Sequence, residues 1–138
     1  MKRKEFLSII GLGAAAVACT ACLGGCGPLD NIPSAPTNVD FTINLNDSAY
    51  AALKSIGGYV YNGGIIIVYV SSNKYVVVSS VCTHAGSTII YDASNSRFFC
   101  PSHGSVFALN GTVINGPASS PLATYNNSLS GNSLRVYS

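Results

Sequence analysis

The chain has 138 residues, the length of one domain, and a formal net charge of +2. Hydrophobic residues make up 48% of the chain and charged residues only 9%, which excludes the polar, highly charged composition of disordered proteins. Three of the basic residues, Lys2, Arg3 and Lys4, lie at the N-terminus, and from Cys26 onward the basic and acidic residues balance. The body therefore lacks a basic patch for phosphates, and we expect no nucleic-acid partner.

The first 25 residues have the pattern of an export signal. After the basic start, residues 6–25 (FLSIIGLGAAAVACTACLGG) carry no charge, which is typical of a secretory signal or a membrane anchor. Residues 3–7 (RKEFL) resemble a twin-arginine export signal with lysine as the second basic residue, and residues 23–26 (LGGC) resemble the lipobox of bacterial lipoproteins. We therefore expect residues 1–25 to be a signal peptide or membrane anchor and Cys26 to be lipidated. The protein would then be tethered to the membrane on its extracytoplasmic, periplasmic side.

Residues 26–38 form a predicted linker, and residues 39–138 form the predicted domain. The linker contains Pro28, Pro33 and Pro36, which favour an extended chain. In the domain, residues 39–45 alternate between apolar and polar, and the runs GIIIVYV from Gly64 and KYVVVSSV from Lys74 are rich in β-branched and aromatic residues. A helical pattern is confined to residues 48–56. The sequence predicts an all-β domain, an antiparallel sandwich or barrel.

Both histidines of the chain closely follow a cysteine. They form the segments Cys82-Thr83-His84 and Cys100-Pro101-Ser102-His103. Two thiolates and two imidazoles can hold a metal centre, but zinc fingers usually pair cysteine with cysteine at close spacing. A mixture of one cysteine and one histidine per segment suits a centre with two inequivalent irons. A Cys₂His₂ zinc site and a Cys82–Cys100 disulfide are the alternatives.

The same segments resemble a known family. CTHAGS at 82–87 and CPSHGS at 100–105 are similar to the two cluster-binding boxes of Rieske iron–sulfur proteins, and residues 116–122 resemble the proline loop that shields their cluster. The resemblance covers residues 56–137. It implies an antiparallel β-sandwich of the Rieske type with a small cluster-binding subdomain of two loops, and one 2Fe-2S cluster. It also implies the following roles: Cys82 and Cys100 on the inner iron, His84 and His103 on the outer, solvent-facing iron, and a hydrogen bond from Ser105 to the cluster.

Three positions depart from the high-potential members of that family. Ser87 and Ser102 stand where quinol-oxidising Rieske proteins have a disulfide, and Phe107 stands where they have a tyrosine that donates a hydrogen bond to the cluster. Loss of a hydrogen bond to a sulfur destabilises the reduced cluster and lowers the potential. We therefore expect a potential below the top of the family's range, which disfavours quinol oxidation.

The resemblance implies one-electron transfer, as a carrier or as a small subunit of a respiratory or oxidoreductase complex. The expected partners are a redox protein or a larger oxidoreductase subunit, and the membrane. No residue pattern indicates a nucleophile or a general base, so we expect an electron-transfer protein rather than a catalyst acting alone. A catalytic oxygenase is excluded because its mononuclear iron needs two further histidines, which this chain lacks. There are two alternatives. The first is a ferredoxin-like electron donor to an oxygenase, which the export signal disfavours, and the second is a non-redox zinc-binding domain.

Overall fold

A computed structural model describes residues 32–138. The predicted signal peptide or anchor, the lipidation site Cys26 and the first part of the linker lie outside the described residues. No helix within residues 32–138 is long and apolar enough to cross a bilayer.

This part of the chain is built from ten β-strands and one short 3₁₀ helix, which confirms the all-β prediction. The 3₁₀ helix spans Ser48–Lys54, within the segment predicted to be helical. The strands are β1 (Asp40–Asn44), β2 (Tyr59–Asn62), β3 (Ile65–Ser71), β4 (Lys74–Ser79), β5 (Ile90–Asp92), β6 (Arg97–Phe99), β7 (Val106–Phe107), β8 (Val113–Asn115), β9 (Asn126–Ser130) and β10 (Ser133–Tyr137).

The strands form three antiparallel sheets, in the orders β1-β10-β9, β2-β3-β4 and β5-β6-β7-β8. The β3–β4 hairpin turns at Asn73, whose φ of 54° is left-handed, a conformation that asparagine tolerates better than most residues. Hairpins with short turns connect β3 to β4, β5 to β6 and β9 to β10. These hairpins follow from the turn residues in the sequence, whereas β1 pairs with β10 from the far end of the chain.

Strand β3 lies between two hydrophobic cores because both of its faces are buried. Ile65 and Ile67 pack into one core with residues of β1, β4 and β10. Ile66 and Val68 face the other way and pack into a second core with Phe98. Successive side chains of a strand point to opposite faces, so a run of consecutive apolar residues places the β2-β3-β4 sheet in the middle of the domain. The second core also contains both predicted ligand cysteines.

Candidate metal centre

Two loops at one end of the third sheet carry the predicted ligands. The first loop, Cys82–Ser87, is closed by an antiparallel bridge between Val81 and Thr88. The second loop, Cys100–Ser105, is closed by the pairing of Phe99 with Val106. The first loop precedes Ile90, where β5 begins, and the second loop follows Phe99, where β6 ends. Because Ile90 pairs with Phe99 in the β5–β6 hairpin, both loops emerge from the same end of the sheet.

The two loops have the same backbone hydrogen bonds. Gly86 N donates to Cys82 O at 2.8 Å, and Gly104 N donates to Cys100 O at 2.9 Å. The amide of each cysteine donates to the carbonyl of the serine that ends its loop, at 2.7 and 2.8 Å. Both glycines have positive φ, 79° and 82°, which side chains with a Cβ rarely adopt. Both loops thus share the sequence pattern C-x-x-x-G-S and form the same turn.

The thiols and the imidazoles lie on opposite sides of these turns. Cys82 and Cys100 are 1% and 0% exposed, and both are free thiols rather than a disulfide. His84 and His103 are exposed, and their Nδ1 atoms lie 3.3 Å apart. The structure therefore brings all four predicted ligands to one end of the domain, as a buried thiol pair and a surface imidazole pair.

This pairing fits a two-iron centre better than a single zinc ion. One tetrahedral ion needs its four ligands to converge on one point, whereas here the two thiols are buried and the two imidazoles are exposed. In a Rieske centre each iron takes only two protein ligands, thiolates on one and imidazoles on the other. The two thiols and two imidazoles of this chain, separated into a buried pair and an exposed pair, match that requirement.

The thiol environment is set by burial. Burial in the second core raises the pKa of the Cys100 thiol, and the hydrogen-bonded Cys82 thiol raises it further. A thiol with a raised pKa keeps its proton at neutral pH, so a metal that binds it must displace that proton.

A third loop, Gly116–Leu122, closes over the other two and corresponds to the predicted proline loop. Ser105 is 0% exposed, and its Oγ accepts a hydrogen bond from Ala118 N at 3.0 Å. Thr83 Oγ1 donates to Ser120 O at 2.6 Å. Each ligand loop is therefore fastened to the third loop by one hydroxyl. Sequence reasoning missed Thr83, because nothing local indicates a contact that spans 37 residues.

The Rieske [2Fe-2S] domain family matches residues 43–126. The chain belongs to the Rieske [2Fe-2S] family. Its cofactor is a 2Fe-2S cluster, and the Rieske-type all-β fold expected from the sequence is confirmed. The assignment of individual ligands and of Ser105 stays a prediction that the geometry supports.

Among curated relatives, the chain is 33% identical over 78 residues to the cytochrome b6-f complex iron-sulfur subunit of Chlorobaculum thiosulfatiphilum, covering 56% of this chain and 43% of that protein. It is 30% identical over 98 residues to the menaquinol:cytochrome c reductase iron-sulfur subunit of Bacillus subtilis (strain 168), covering 69% of this chain and 53% of that protein. The chain thus spans about half the length of these relatives.

Among solved structures, the chain is similar to the cyanobacterial plasma membrane Rieske protein PetC3 from Synechocystis PCC 6803. The TM-score is 0.56 at 31% identity, covering 70% of this chain and 99% of that one. The ferredoxin of carbazole 1,9a-dioxygenase from Nocardioides aromaticivorans IC177 matches with a TM-score of 0.55, covering 74% of this chain and 98% of that one. Its 19% identity shows a shared fold only.

Proposed function

We propose that this Rieske protein transfers single electrons, with Cys82 and Cys100 on the inner iron and His84 and His103 on the outer iron. The observation that carries this proposal is the pair of matched loops, which bury both thiols and hold the two imidazole Nδ1 atoms 3.3 Å apart at the surface. The cluster, when bound, accepts and releases one electron, because its irons change oxidation state by one in total.

The residues of the chain contribute positioning and shielding. The buried thiols keep the inner side of the centre away from water, while the exposed imidazoles place the outer side where a partner can approach. The hydrogen bonds within each loop and the hydroxyls of Thr83 and Ser105 fix the loops against the third loop. Loops that are held by these hydrogen bonds need to rearrange little when the electron arrives, and a small rearrangement favours fast electron transfer.

The partner we propose is a larger oxidoreductase subunit. Support comes from the relatives, which are named as iron-sulfur subunits of a cytochrome b6-f complex and of a menaquinol:cytochrome c reductase. A ferredoxin-like role has weaker support, because the dioxygenase ferredoxin is similar in fold alone.

We further propose that the protein is tethered to the membrane outside the cytoplasm, through a lipid on Cys26 or through an uncleaved N-terminal anchor. The basic start, the uncharged run and the lipobox-like LGGC support this placement. Mass spectrometry of the membrane-bound protein distinguishes the two forms. A mature chain that begins at an acylated Cys26 supports the lipoprotein, an intact acyl-free N-terminus supports the anchor, and a chain recovered only from the soluble cytoplasmic fraction contradicts both.

The electron-transfer proposal is tested by a redox titration of the purified full chain, followed by electron paramagnetic resonance. We expect one reversible one-electron couple, below the upper end of the family's range of about −150 to +300 mV. Metal analysis of the same sample distinguishes an iron–sulfur cluster from the alternative zinc site. Folded protein that contains zinc and shows no couple contradicts the proposal.

A further inference from the structure

The two ligand loops have matched backbones but different surroundings. A Cβ added to Gly86 in the first loop would lie 2.6 Å from Pro33 Cδ and 3.1 Å from Ile32 Cγ2. A Cβ added to Gly104, the equivalent residue of the second loop, would have no atom within 4 Å. The first loop is therefore covered by the chain that precedes β1, whereas the second loop is open at the same position.

We call residues 32–36 the strap. Its far end is held by a buried residue, since Tyr125 is 8% exposed and its hydroxyl donates to Pro36 O at 2.7 Å. Pro36 also packs closely over Gly64, where an added Cβ would lie 3.0 Å from Pro36 Cγ. Two prolines in five residues restrict the backbone, so the strap loses little conformational entropy when it docks. This described part of the predicted linker lies against the body of the domain.

The strap also forms one wall of a cavity beside the first loop. The cavity has a volume of about 280 Å³, and its lining includes Ile32 and Pro33 of the strap, Cys82 and Thr83 of the first loop and Ser120 of the third loop. One side of the space adjoins the first loop and another adjoins the third loop. Displacement of the strap would expose this side of Cys82 to solvent.

We propose that the strap positions the first ligand loop, with Pro33 holding the Gly86 turn and, through it, Cys82 and His84. The proposal rests on the proposed function in one respect, namely that this loop holds the cluster. At Gly104, the equivalent position of the second loop, an added Cβ would have no atom of residues 32–138 within 4 Å. The strap is the described segment nearest in sequence to the predicted tether, and it contacts the glycine turn of the first ligand loop and not that of the second.

The first test measures hydrogen–deuterium exchange in the full, cluster-loaded chain with Pro33→Gly. The amides of Cys82 and Gly86 report on the first loop, and those of Cys100 and Gly104 make the same hydrogen bonds in the second loop. We expect exchange in the first loop to become at least about tenfold faster, with the second loop unchanged, because local opening follows local contacts. Equal acceleration in both loops, or none in the first, overturns the proposal.

The second test compares Gly86→Ala with Gly104→Ala. Both changes place a Cβ at a positive φ, but only the first meets Pro33. We expect Gly86→Ala to lose iron to a chelator faster than Gly104→Ala and to shift the g values of the reduced cluster more. The difference between the two alanine variants should shrink when each is made in the Pro33→Gly background, because the Pro33 Cδ contact is then removed while the Ile32 Cγ2 contact at 3.1 Å stays. A difference of unchanged size in that background contradicts the role of Pro33.

The two proposals fail in distinguishable ways. A wild-type chain without a paramagnetic signal on reduction refutes the electron-transfer function. A normal paramagnetic signal, together with first-loop hydrogen exchange that Pro33→Gly does not change, refutes only the proposed role of the strap. If neither alanine variant retains iron, the hydrogen-exchange measurement on Pro33→Gly still tests whether the strap positions the first loop.

Discussion

Ser105 connects the second ligand loop to the loop that covers it. Its Oγ accepts from Ala118 N at 3.0 Å, and the residue is fully buried. A hydroxyl carries one hydrogen besides its acceptor lone pairs, so Ser105 retains a hydrogen that can be donated to a cluster sulfur. The serine itself was predicted from the box, whereas its partner was not, because the position of Ala118 depends on the fold of the third loop.

The first prediction concerns Ser105→Ala. The change leaves the buried Ala118 amide without its acceptor, which should cost about 1–3 kcal/mol of unfolding free energy. Loss of the donated hydrogen bond should lower the reduction potential by about 40–60 mV, the equivalent of roughly 1–1.4 kcal/mol for one electron. Denaturant unfolding and a redox titration measure the two effects. A lowered stability with an unchanged potential would show that Ser105 only fastens the third loop.

The second prediction concerns Phe107, a fully buried residue of β7. The family resemblance places a tyrosine hydroxyl at this position in high-potential members. Phe107→Tyr should therefore add one hydrogen bond to the cluster and raise the reduction potential by about 40–60 mV. Phe107→Leu is the control, because it alters the packing without adding a hydroxyl. Equal potentials for Phe107→Tyr and the wild type would contradict the assigned role of this position.

At the scale of elements, the β5–β6 hairpin carries both ligand loops, and a polar cluster holds its turn. Asp92 accepts from Asn95 Nδ2 at 2.8 Å and from Arg97 Nε at 3.1 Å. The hydrogen bond from Asn95, and next that from Arg97, hold the pKa of Asp92 below its ordinary value of 3.8. The hairpin gains stability from this charged carboxylate.

The third prediction follows from the sign of that shift. A lowered pKa in the folded state contributes stability that is present above the ordinary value of 3.8 and is lost as the pH falls through the lowered value. Asp92→Asn should therefore lower the unfolding temperature at pH 7, and the gap to the wild type should close below about pH 4. Thermal unfolding of both chains across pH measures this gap, and a gap that stays constant into strong acid contradicts the prediction.

The elements differ in how far the sequence predicts them. Strands β1, β3, β4 and β10 follow from their alternating or β-branched patterns. The two residues of β7 carry no periodic signal, because so short a strand is defined by its partners. The docking of the strap was also not predicted, since proline content indicates a stiff chain but not the surface on which it lies.

At the scale of the whole molecule, the three loops that carry and cover the ligands contain no acidic side chain, lysine or arginine. No Lys, Arg, Asp or Glu occurs in residues 82–87, 100–105 or 116–122. The ion pairs that the structure describes, Arg97–Asp92 and Arg135–Asp40, belong to the hairpin turn and to the β1–β10 pair. A partner that approaches the exposed imidazoles thus meets loops without lysine, arginine or carboxylate side chains, and we expect encounter to depend little on long-range electrostatics.

The fourth prediction is that electron exchange at this end is insensitive to salt. The rate of self-exchange between oxidised and reduced copies, measured by nuclear magnetic resonance, should change less than about twofold from low to high ionic strength. Ser119→Asp is the comparison, because it adds like charges to the exposed third loop of both copies. Its rate should be slower at low salt and recover at high salt. A wild-type rate that rises steeply with salt contradicts an uncharged contact surface.

The central claim is that two thiolates and two imidazoles of this chain share one dinuclear centre, and pulsed electron paramagnetic resonance tests it most directly. The reduced full chain should contain two irons and two sulfides and should show couplings to two coordinating nitrogens. A variant that replaces His103 by Ser should lose one of these couplings or lose the centre. A wild-type spectrum without nitrogen couplings, or one zinc per chain in place of the irons, would contradict the account.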